Sequence, residues 1–406
     1  MTGTGLAQAI PVLFSPLLAR IFSPAEFGKL AFFMSLCAIL SIISTGRYEL
    51  SIMLPKKDLD AFNIMILILI LTVCISTVLL IIIMLFSPFL MEALNSPVSY
   101  QYLLLLPAGV FLTGSYQGLN YWLNRKKRYK VISTFRILQS LVTAVISIIL
   151  GYLGYKSNGL IIGFLIGLII PVIPLAYIII SRSALISVSR IIATGKTYID
   201  YPKFMMPTGL MDTSAMQAPV FFINKFFSSV IVGSYSLASR VVTAPIGIIS
   251  GAIGQVYFQK VSSVVQNRTS KLVPILAKTA RTLAGISAAI FIPFFFFGEE
   301  VFTVVFGAEW SEAGTYLEII SVAMFIRFIV SPLSTIFIST SRIRVGASWQ
   351  TLYFCTTVAI FVIGRNFAFE NLLWMYVIHE IVLYTIYFIL MLLVSRDFDK
   401  NLICAE

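Results

Sequence analysis

The chain has 406 residues, of which 59% are apolar and only 11% carry a charge, and its mean hydropathy is +0.96. This composition excludes a soluble globular domain, in which about 25% of residues are charged. The single histidine, His379, excludes a site with several histidine ligands, and the four cysteines lack the spacing of zinc sites. The net charge of +12 would suit nucleic acid, but its distribution along the chain has another explanation.

Apolar segments separated by short polar breaks recur along the whole chain. Several, such as 63–86 and 159–180, exceed the ~20 residues that a helix needs to cross the hydrocarbon core. The pattern predicts spans at 3–21, 27–54, 61–86, 100–122, 130–151, 159–181, 203–223, 231–258, 272–297, 313–339, 345–364 and 370–394. We therefore predict an all-α integral membrane protein with about twelve transmembrane helices and no cleaved signal peptide.

The basic residues lie mostly in every second break, and this asymmetry orients the spans. One set of breaks contains the run RKKRYK (125–130) and most of the other Lys and Arg residues. The alternate breaks contain only Arg20, Lys29, Lys156, Lys225 and Arg365. By the positive-inside rule the basic side is cytoplasmic, so both termini are predicted to be cytoplasmic. The positive charge then meets anionic lipid headgroups, and we predict no nucleic-acid partner.

The longest break on the basic side, 182–202, separates two halves of six spans. We predict an N-terminal lobe at 1–181, a cytoplasmic linker at 182–202 with an amphipathic stretch, a C-terminal lobe at 203–395 and a cytoplasmic tail at 396–406. Segment 8–28 resembles segment 216–233, since each has a Gln-Ala-(x)-Pro helix before a short turn that ends in Gly. This repeat predicts lobes related by a pseudo-two-fold axis along the membrane normal, with a binding site between them.

Several charged side chains fall inside the predicted spans. A charge at the bilayer centre costs roughly 2.5–3.5 kcal/mol on insertion scales, so these side chains need a polar environment. Arg327 lies about 20 Å from both ends of its span at 1.5 Å per residue, and Arg240, Arg281 and Asp212 are also deep. Arg136 lies within two turns of the cytoplasmic end of its span, where a long side chain snorkels to water.

Polar residues at helical spacing form stripes on three spans. They comprise Ser41, Ser44, Arg47 and Ser51 on the second span, Thr113, Gln117, Asn120, Tyr121 and Asn124 on the fourth, and Arg327, Ser331, Ser334 and Thr335 on the tenth. In lipid such stripes must face protein or water, so they predict a hydrated central cavity with a positive potential. Glu49 is two residues from Arg47, so on a helix it would point to another face and would not be its partner.

Two interpretations of the deep charges remain open from the residues alone. In the first, Arg47, Arg240, Arg281, Arg327, Gln117, Asn120 and Asn124 line the cavity and bind an anionic substrate group, which the planar guanidinium suits. In the second, the arginines form buried ion pairs with Glu49, Asp212, Glu380 or His379. His379 and Glu380 are also candidates for a proton or sodium relay, although a packed pair is favoured. We predict no enzyme, metal site or cofactor, because no nucleophile–base pair, acidic cluster or phosphate loop is present.

Four segments carry a family resemblance. TGRYELSIMLPKKDLDA (45–61) and YQGLNYWLNRKKRYKVI (116–132) resemble segments of bacterial oligosaccharide flippases, and SPLLARIFSPAEFG (15–28) and GSYSLASRVVTAP (233–245) do so more loosely. These flippases export O-antigen and capsule repeat units, are called Wzx-type, and belong to the multidrug/oligosaccharidyl-lipid/polysaccharide exporter superfamily. Arg47 and Glu49 stand at the family's Arg-Tyr-Glu position, and Arg240 stands at its arginine in the eighth span.

The resemblance implies a two-lobed flippase of the bacterial cytoplasmic (inner) membrane. Its cargo would be an undecaprenyl-pyrophosphate-linked oligosaccharide, moved from the cytoplasmic to the periplasmic leaflet by alternating access for O-antigen or capsule assembly. Its implied partners are this cargo, membrane lipids, a polysaccharide polymerase and a chain-length regulator. Arg47 is expected to meet the pyrophosphate or an acidic sugar, whereas Glu49 is expected to brace a neighbouring helix.

Other functions within and outside this superfamily suit the sequence less well. A multidrug extruder of the same superfamily is the main alternative, but its usual cationic cargo suits a basic cavity badly. A membrane polysaccharide polymerase or glycosyltransferase would need a large external loop or an acidic catalytic cluster, and the sequence contains neither. A lipid II flippase typically has two further spans, so the predicted number of spans counts against it.

Overall fold

The computed structural model describes residues 2–93, 100–268 and 270–403, and the regular elements in these ranges are all helical. The α-helices are α1 (Thr2–Ala19), α2 (Pro24–Thr45), α3 (Asp58–Ala93), α4 (Tyr100–Arg125), α5 (Tyr129–Tyr152), α6 (Lys156–Ser181), α7 (Val188–Thr197), α8 (Met206–Phe226), α9 (Ser229–Pro245), α10 (Gly251–Asn267), α11 (Leu272–Phe306), α12 (Ser311–Val330), α13 (Ile336–Ser339), α14 (Ile343–Gly364) and α15 (Phe369–Ile403). Short 3-10 segments occupy Tyr48–Met53, Ser183–Leu185, Ala308–Trp310 and Ser331–Thr335, and π-helical turns occupy Tyr201–Met205 and Ile246–Ser250.

Each predicted span coincides with one helix or with helices that continue one another. Within the described ranges, nine helices are long and apolar enough to cross a membrane, and α1 adds a shorter apolar stretch. The less apolar α4 and α8 have 26 and 21 residues, which is also sufficient length. The eighth span joins α9 to α10 through a π-helical turn, and the tenth joins α12 to α13 through a 3-10 turn. The prediction of an all-α membrane protein with about twelve spans is confirmed.

The second predicted span, 27–54, extends too far. Helix α2 ends at Thr45, and both Gly46 (φ 57°) and Arg47 (φ 60°) adopt the left-handed backbone conformation. The Gly46 N–H donates to the carbonyl oxygens of Ile42 and Ile43, which closes the last turn of the helix. Glycine adopts this conformation readily, whereas for arginine it costs roughly 1–2 kcal/mol. The chain therefore leaves the helix at this point.

The end of α2 also corrects the polar stripe predicted for the second span. Ser41 and Ser44 do lie on the helix, where their hydroxyls donate to carbonyl oxygens three residues earlier. Arg47 is itself part of the left-handed turn, and Ser51 belongs to the 3-10 segment that follows it. The four side chains therefore do not share one helical face, although they occupy the same end of α2.

The predicted linker, 182–202, is a structured part of the chain. Helix α7 buries Ile191 and Thr194, whereas Val188 and Ile192 are exposed, as predicted for an amphipathic stretch. The side chain of Asn63 in α3 donates to the Leu185 carbonyl oxygen (3.2 Å) and accepts from the Ser187 N–H (3.0 Å). These contacts attach the beginning of α7 to α3.

Further contacts attach the other parts of α7. Arg190 pairs with Asp60 (Nη1 to Oδ1, 3.2 Å), and the Tyr48 hydroxyl donates to the Gly195 carbonyl oxygen (2.9 Å). Ile191 belongs to a buried core together with residues from the 3-10 segment and from α3, α4 and α6. Its members include Ile52, Ile64, Met65, Ile68, Leu119, Trp122 and Leu175. The linker is thus held by both polar and apolar contacts.

Two long membrane-spanning helices, α3 and α11, each contain a break in helical geometry. In α3 the break is at Phe86 (φ −118°, ψ 20°), two residues before Pro88. In α11 it is at Phe297 (φ −130°, ψ 20°), four residues after Pro293. Proline removes a backbone donor and clashes with the preceding turn, which accounts for the break before Pro88 in α3. Pro293 precedes Phe297, so it does not explain the break in α11.

The chain divides into two compact units, Thr2–Gly233 and Ser234–Glu406. The first contains α8, which packs against α2 within that unit. This division falls later in the chain than the predicted linker at 182–202. The two lobes of six spans, which were inferred from the sequence repeat, stay a prediction. The predicted tail begins inside α15, which continues to Ile403, and the remainder of the tail (404–406) lies outside the described residues.

The two glycines that end the paired sequence segments meet in the first unit. A Cβ built on Gly28 would overlap the Ser229 carbonyl oxygen and lie 3.1 Å from the Gly233 nitrogen. A Cβ built on Gly233 would overlap the Pro24 carbonyl oxygen and lie 3.0 Å from the Gly28 nitrogen. The contacts are reciprocal: Pro24 and Gly28 on one helix, and Ser229 and Gly233 on the other, are each four positions apart. Only glycine permits such close approach of the two backbones.

Candidate functional site

The left-handed turn after α2 directs Arg47 toward α8. Its side chain is 23% exposed, and its guanidinium lies against the bare Cα of Gly209. A Cβ built at that position would lie 2.8 Å from Arg47 Cζ, which is too close for any side chain to be accommodated without moving the guanidinium. Asp212 is half-buried and lies one helical turn further along α8. The sequence placed Arg47 inside a helix, so it gave no indication of this neighbour.

Arg47 and Glu49 form an ion pair, which corrects the expectation that they point to different faces. Arg47 Nη1 lies 3.6 Å from Glu49 Oε1, and the glutamate side chain is only 2% exposed. The expectation was wrong because it assumed helical geometry, whereas the left-handed Arg47 and the 3-10 segment bring the two side chains together. Glu49 therefore partners Arg47 itself.

The ion pair leaves hydrogen-bonding capacity unused. Arg47 Nε and Glu49 Oε2 are buried atoms without a hydrogen-bond partner among the described residues. Burial raises the pKa of Glu49, and hydrogen bonds from Thr45 and Arg47 oppose this shift. The guanidinium is a planar donor group suited to carboxylate or phosphate oxygens.

Gln117 connects the polar stripe of α4 to α2. Its Nε2 donates to the Ser41 hydroxyl at 3.2 Å, whereas its Oε1 is buried without a partner among the described residues. Gln117 is thus partly used in holding the two helices together. One acceptor remains for a ligand.

Asn120 and Asn124 line a pocket of about 310 Å³ between the end of α4 and the beginning of α5. The other lining residues are Tyr121, Tyr129, Ile132 and Arg136. Tyr121 also packs against the core that contains Tyr48 and Ile52, so the pocket lies beside the segment that follows Arg47. The sequence analysis predicted Asn120 and Asn124 as substrate-binding residues, but it interpreted Arg136 as a side chain that snorkels to water at the membrane surface. The short turn between α4 and α5 is the signal that Arg136 faces the end of α4.

A cluster of ion pairs fixes the end of α4. Arg125 Nε lies 3.0 Å from Asp58 Oδ1, and Lys126 also pairs with this carboxylate. The Arg125 guanidinium further donates to the carbonyl oxygens of Ile52 (3.0 Å) and Pro55 (2.7 Å). These bonds tie α4 to α3 and to the segment that carries Arg47. The position of the pocket is therefore coupled to that of the ion pair.

The second unit contains a separate buried pair. Arg327 Nη1 lies 3.9 Å from Glu380 Oε2, and the Glu380 side chain has no exposed surface. Tyr353 donates to the other carboxylate oxygen of Glu380 at 2.6 Å, and the Arg327 guanidinium lies 5.8 Å from the centre of the Tyr384 ring. Arg327 thus links α12 to α15, as expected for a structural ion pair.

His379 has different neighbours from the adjacent Glu380. Its Nε2 lies 2.8 Å from the Thr356 hydroxyl, and its ring packs against Tyr353 and Tyr376. The Nδ1 atom is buried without a partner among the described residues. The two residues therefore belong to one packed region of α14 and α15, and their proposed relay role stays a prediction.

The remaining two predicted site arginines lie in the second unit and outside the Arg327–Glu380 pair. Arg240 in α9 is half-buried, and Arg281 in α11 is exposed. Neither guanidinium has a carboxylate partner within the part of the chain that the structure describes. Their charges are therefore not compensated by an ion pair there. The described part of the chain contains no group of three or more His, Cys, Asp or Glu side chains that could bind a metal ion. Cys37, Cys74 and Cys355 are free thiols.

Comparison with known proteins gives a consistent result. Residues 17–315 match the family described as "Polysaccharide biosynthesis protein". The succinoglycan biosynthesis transport protein ExoT of Rhizobium meliloti (strain 1021) is 20% identical over 400 residues, which is 96% of this chain and 78% of that protein. The teichuronic acid biosynthesis protein TuaB of Bacillus subtilis (strain 168) is 19% identical over 188 residues, covering 46% of this chain and 39% of that protein.

Two solved structures have a similar fold. The inward closed conformation of the lipid II flippase MurJ gives a TM-score of 0.74 at 14% identity and covers 99% of this chain and 91% of its own. An inward-facing transporter of the multidrug resistance MATE family, of the MOP superfamily, gives a TM-score of 0.72 at 14% identity. The match covers 97% of this chain and 96% of that transporter. These likenesses show the fold and confirm the predicted fold class. They do not by themselves distinguish the cargo.

Proposed function

Because this chain belongs to the polysaccharide biosynthesis protein family, we propose that it is a flippase for a polyprenyl-pyrophosphate-linked oligosaccharide. The cargo would move from the cytoplasmic to the periplasmic leaflet of the bacterial cytoplasmic membrane during assembly of a surface polysaccharide such as O-antigen or capsule. Support comes from a relative named as a transport protein of succinoglycan biosynthesis and from a fold shared with a lipid II flippase.

The observation that carries the proposal is the environment of Arg47. Its guanidinium occupies the space left by Gly209, is held beside Glu49, and retains an unpaired Nε. A positive charge held in this way favours an anion over a cation, and its planar donors match phosphate oxygens. The pyrophosphate of a lipid-linked sugar has this chemistry. We assign Arg47 to the pyrophosphate or to an acidic sugar, with Gln117 nearby as a further polar contact.

Arg240, Arg281 and Arg327 would add to the positive potential experienced by the cargo. Arg327 is paired with Glu380, whereas Arg240 and Arg281 have no carboxylate partner among the described residues. The described arginines are thus not all neutralised by ion pairs. An excess of positive charge is unfavourable for a cationic drug and favourable for an anionic lipid-linked sugar.

Transport by alternating access requires helices that can bend. The breaks at Phe86 in α3 and Phe297 in α11, and the π-helical turns at 201–205 and 246–250, interrupt regular helical bonding in four spans. Such interruptions are places where backbone angles change at modest cost. We propose that they take up the bending during transport, with both termini cytoplasmic and with Asp212, His379 and Glu380 as candidates for ion coupling.

The proposal is tested by deleting the gene in the source bacterium and analysing its polyprenyl-linked sugars with a membrane-impermeant reagent. Complete repeat units trapped on the cytoplasmic face, together with loss of surface polysaccharide, are expected. Wild-type protein and the exposed-residue control Lys57→Ala should restore the polysaccharide, and Arg47→Ala should not. Single repeat units that reach the surface without polymerisation would point to a polymerase.

The multidrug extruder remains the second candidate because its fold is also similar. The same deletion strain distinguishes the two functions. Unchanged glycans with increased sensitivity to cationic drugs would reject the oligosaccharide cargo and support the extruder. Loss of polysaccharide with unchanged drug sensitivity would support the flippase. The polysaccharide polymerase and the chain-length regulator are expected partners of a flippase and not of an extruder.

A further inference from the structure

The pocket between α4 and α5 has a size that suits a small part of the cargo. Its volume of about 310 Å³ lies at the lower end of the roughly 300–1,000 Å³ found for ligand pockets. An entire lipid-linked repeat unit does not fit such a space, whereas one sugar residue does. The pocket is built within the first unit alone, from the last turns of α4 and the first turns of α5.

The side chains that line the pocket have free hydrogen-bonding groups. Asn120 and Asn124 are four residues apart on α4 and therefore lie on one face of the helix. Their side-chain amides make no hydrogen bond to any described residue, and both are half-buried. Each amide offers donors and an acceptor, which matches a sugar hydroxyl that both donates and accepts.

Two aromatic rings complete the polar surface. Tyr121 is half-buried and packs against the core of the first unit, and Tyr129 begins α5 and is 59% exposed. A tyrosine ring presents an apolar face beside a polar hydroxyl. A pyranose ring likewise has an apolar face and a rim of hydroxyls. Asparagine amides beside tyrosine rings are therefore complementary to a carbohydrate in both respects.

Arg136 gives the pocket a charge preference. It lies two helical turns after Tyr129 on α5, is half-buried, and has no carboxylate partner within the part of the chain that the structure describes. None of the six lining residues is acidic. An uncompensated guanidinium at the wall of a pocket favours an anionic group on the bound sugar.

We propose that this pocket is a subsite for one sugar residue that carries a negative charge, with Asn120 and Asn124 binding its hydroxyls and Arg136 binding its anionic group. The proposal rests on the proposed function, and it adds Arg136, Tyr121 and Tyr129 as specificity-determining residues. A carboxylate on the sugar and a phosphate attached to it share the required chemistry. The bonds of Arg125 to Ile52, Pro55 and Asp58 tie the end of α4 to the segment that follows Arg47, so the subsite and Arg47 belong to one connected part of the first unit.

The experiment measures binding of small probes to the purified full-length protein in lipid nanodiscs by titration calorimetry. The probes are glucuronate, glucose 1-phosphate, glucose and inorganic phosphate. We expect one or both of the charged sugars to bind at least tenfold more tightly than glucose or phosphate. Preference for glucuronate identifies a carboxylate-bearing sugar, and preference for glucose 1-phosphate identifies the sugar next to the lipid phosphate.

Variants locate the binding in this pocket. Arg136→Gln should weaken binding of the charged sugar about tenfold and leave glucose unchanged, and Arg136→Lys should restore part of the difference. Asn124→Ala should weaken binding of both the charged sugar and glucose. The matched control is Arg128→Gln, which removes an exposed charge from the turn between α4 and α5. This variant should bind the probes as wild type does. A fluorescence melting curve for each variant checks that the fold is retained.

Two outcomes would overturn the subsite. Inorganic phosphate that binds as tightly as glucose 1-phosphate would show a simple anion site, and equal affinities in wild type and Arg136→Gln would place the binding elsewhere. These results leave the flippase proposal intact if deletion of the gene still traps repeat units on the cytoplasmic face. Conversely, unchanged glycans after deletion would reject the flippase, whatever the pocket binds.

Discussion

The guanidinium of Arg47 in the turn after α2 occupies the space where Gly209 of α8 lacks a side chain. A Cβ at this glycine would lie 2.8 Å from Arg47 Cζ and would overlap two of the guanidinium nitrogens. The atoms that would have to move are at the far end of a flexible side chain, so the fold can adjust. The position of the arginine charge is thus set by a residue that carries no chemistry itself.

Gly209→Ala should displace the Arg47 guanidinium and reduce transport about tenfold, with little change in thermal stability. Transport is measured as recovery of surface polysaccharide in the deletion strain, and stability as the melting temperature in detergent. Gly285→Ala in α11 is the matched control, because nothing lies within 4 Å of a Cβ built there. If Gly209 acts through Arg47, the double variant with Arg47→Ala should be no worse than Arg47→Ala alone. Additive losses would contradict this.

Arg47→Lys should lose most of the transport that Arg47→Ala loses, although lysine retains the charge. The reason is that a lysine ammonium cannot present two parallel donors to phosphate oxygens. Loss of a charge-assisted hydrogen bond costs about 1.5–3 kcal/mol, which corresponds to roughly 10–150-fold in affinity. Initial transport rates in proteoliposomes with a lipid-linked sugar measure the difference. Full activity of Arg47→Ala would remove this residue from the mechanism.

Glu49 should make thermal stability depend on pH. Burial raises its pKa in the folded protein, so the folded state binds a proton more readily than the unfolded chain. This contribution to stability is complete below the ordinary glutamate pKa of about 4.3 and decreases as pH rises through the higher folded value. Glu49→Gln, which cannot ionise, should flatten the melting temperature over this pH range. An unchanged pH profile would indicate that Glu49 is not the responsible group.

The Arg327–Glu380 pair should matter mainly for stability. Glu380→Gln leaves the half-buried Arg327 without its carboxylate, and the cost of about 3–5 kcal/mol for breaking a fully buried pair from one side is the upper bound. The melting temperature should therefore fall for Glu380→Gln and Arg327→Gln, whereas the double variant Arg327→Met/Glu380→Leu should recover part of the loss. Glu370→Gln, at an exposed glutamate on the same helix, is the control. A stable Glu380→Gln variant that fails to transport would instead favour a role in ion coupling.

Long apolar segments made the membrane helices predictable, because hydropathy reports directly the solvent that a helix faces. The end of α2 was missed although it had a local signal. A glycine that follows a helical pattern is a common helix terminator, but the polar residues after Gly46 matched a three-to-four-residue spacing and were assigned to the same helix. The consequence was an error about the partner of Arg47, since two side chains two residues apart face each other only when the backbone between them is not helical.

Contacts between distant segments were beyond reach of the sequence pattern. Arg327 and Glu380 are separated by 53 positions, and Glu49, Asp212 and Glu380 all satisfied the simple requirement of opposite charge. Similarly, Arg136 matched the pattern of a snorkelling residue, and only the packing of α5 against the end of α4 places it in a pocket. Tertiary packing, which no local periodicity encodes, decided both cases.

The hydrogen bonds of Asn63 and Tyr48 to the linker at 182–202 limit where the chain can be cut into two co-expressed fragments. A segment of polar composition between two groups of six spans is the obvious place at which to make two co-expressed fragments. Here the side chain of Asn63 and the hydroxyl of Tyr48 hold backbone atoms of 185–195, and Ile191 fills part of the first unit's core. A cut at residue 182 would therefore remove packing from the first fragment. Functional complementation by two fragments should require that the first fragment extends at least to Thr197.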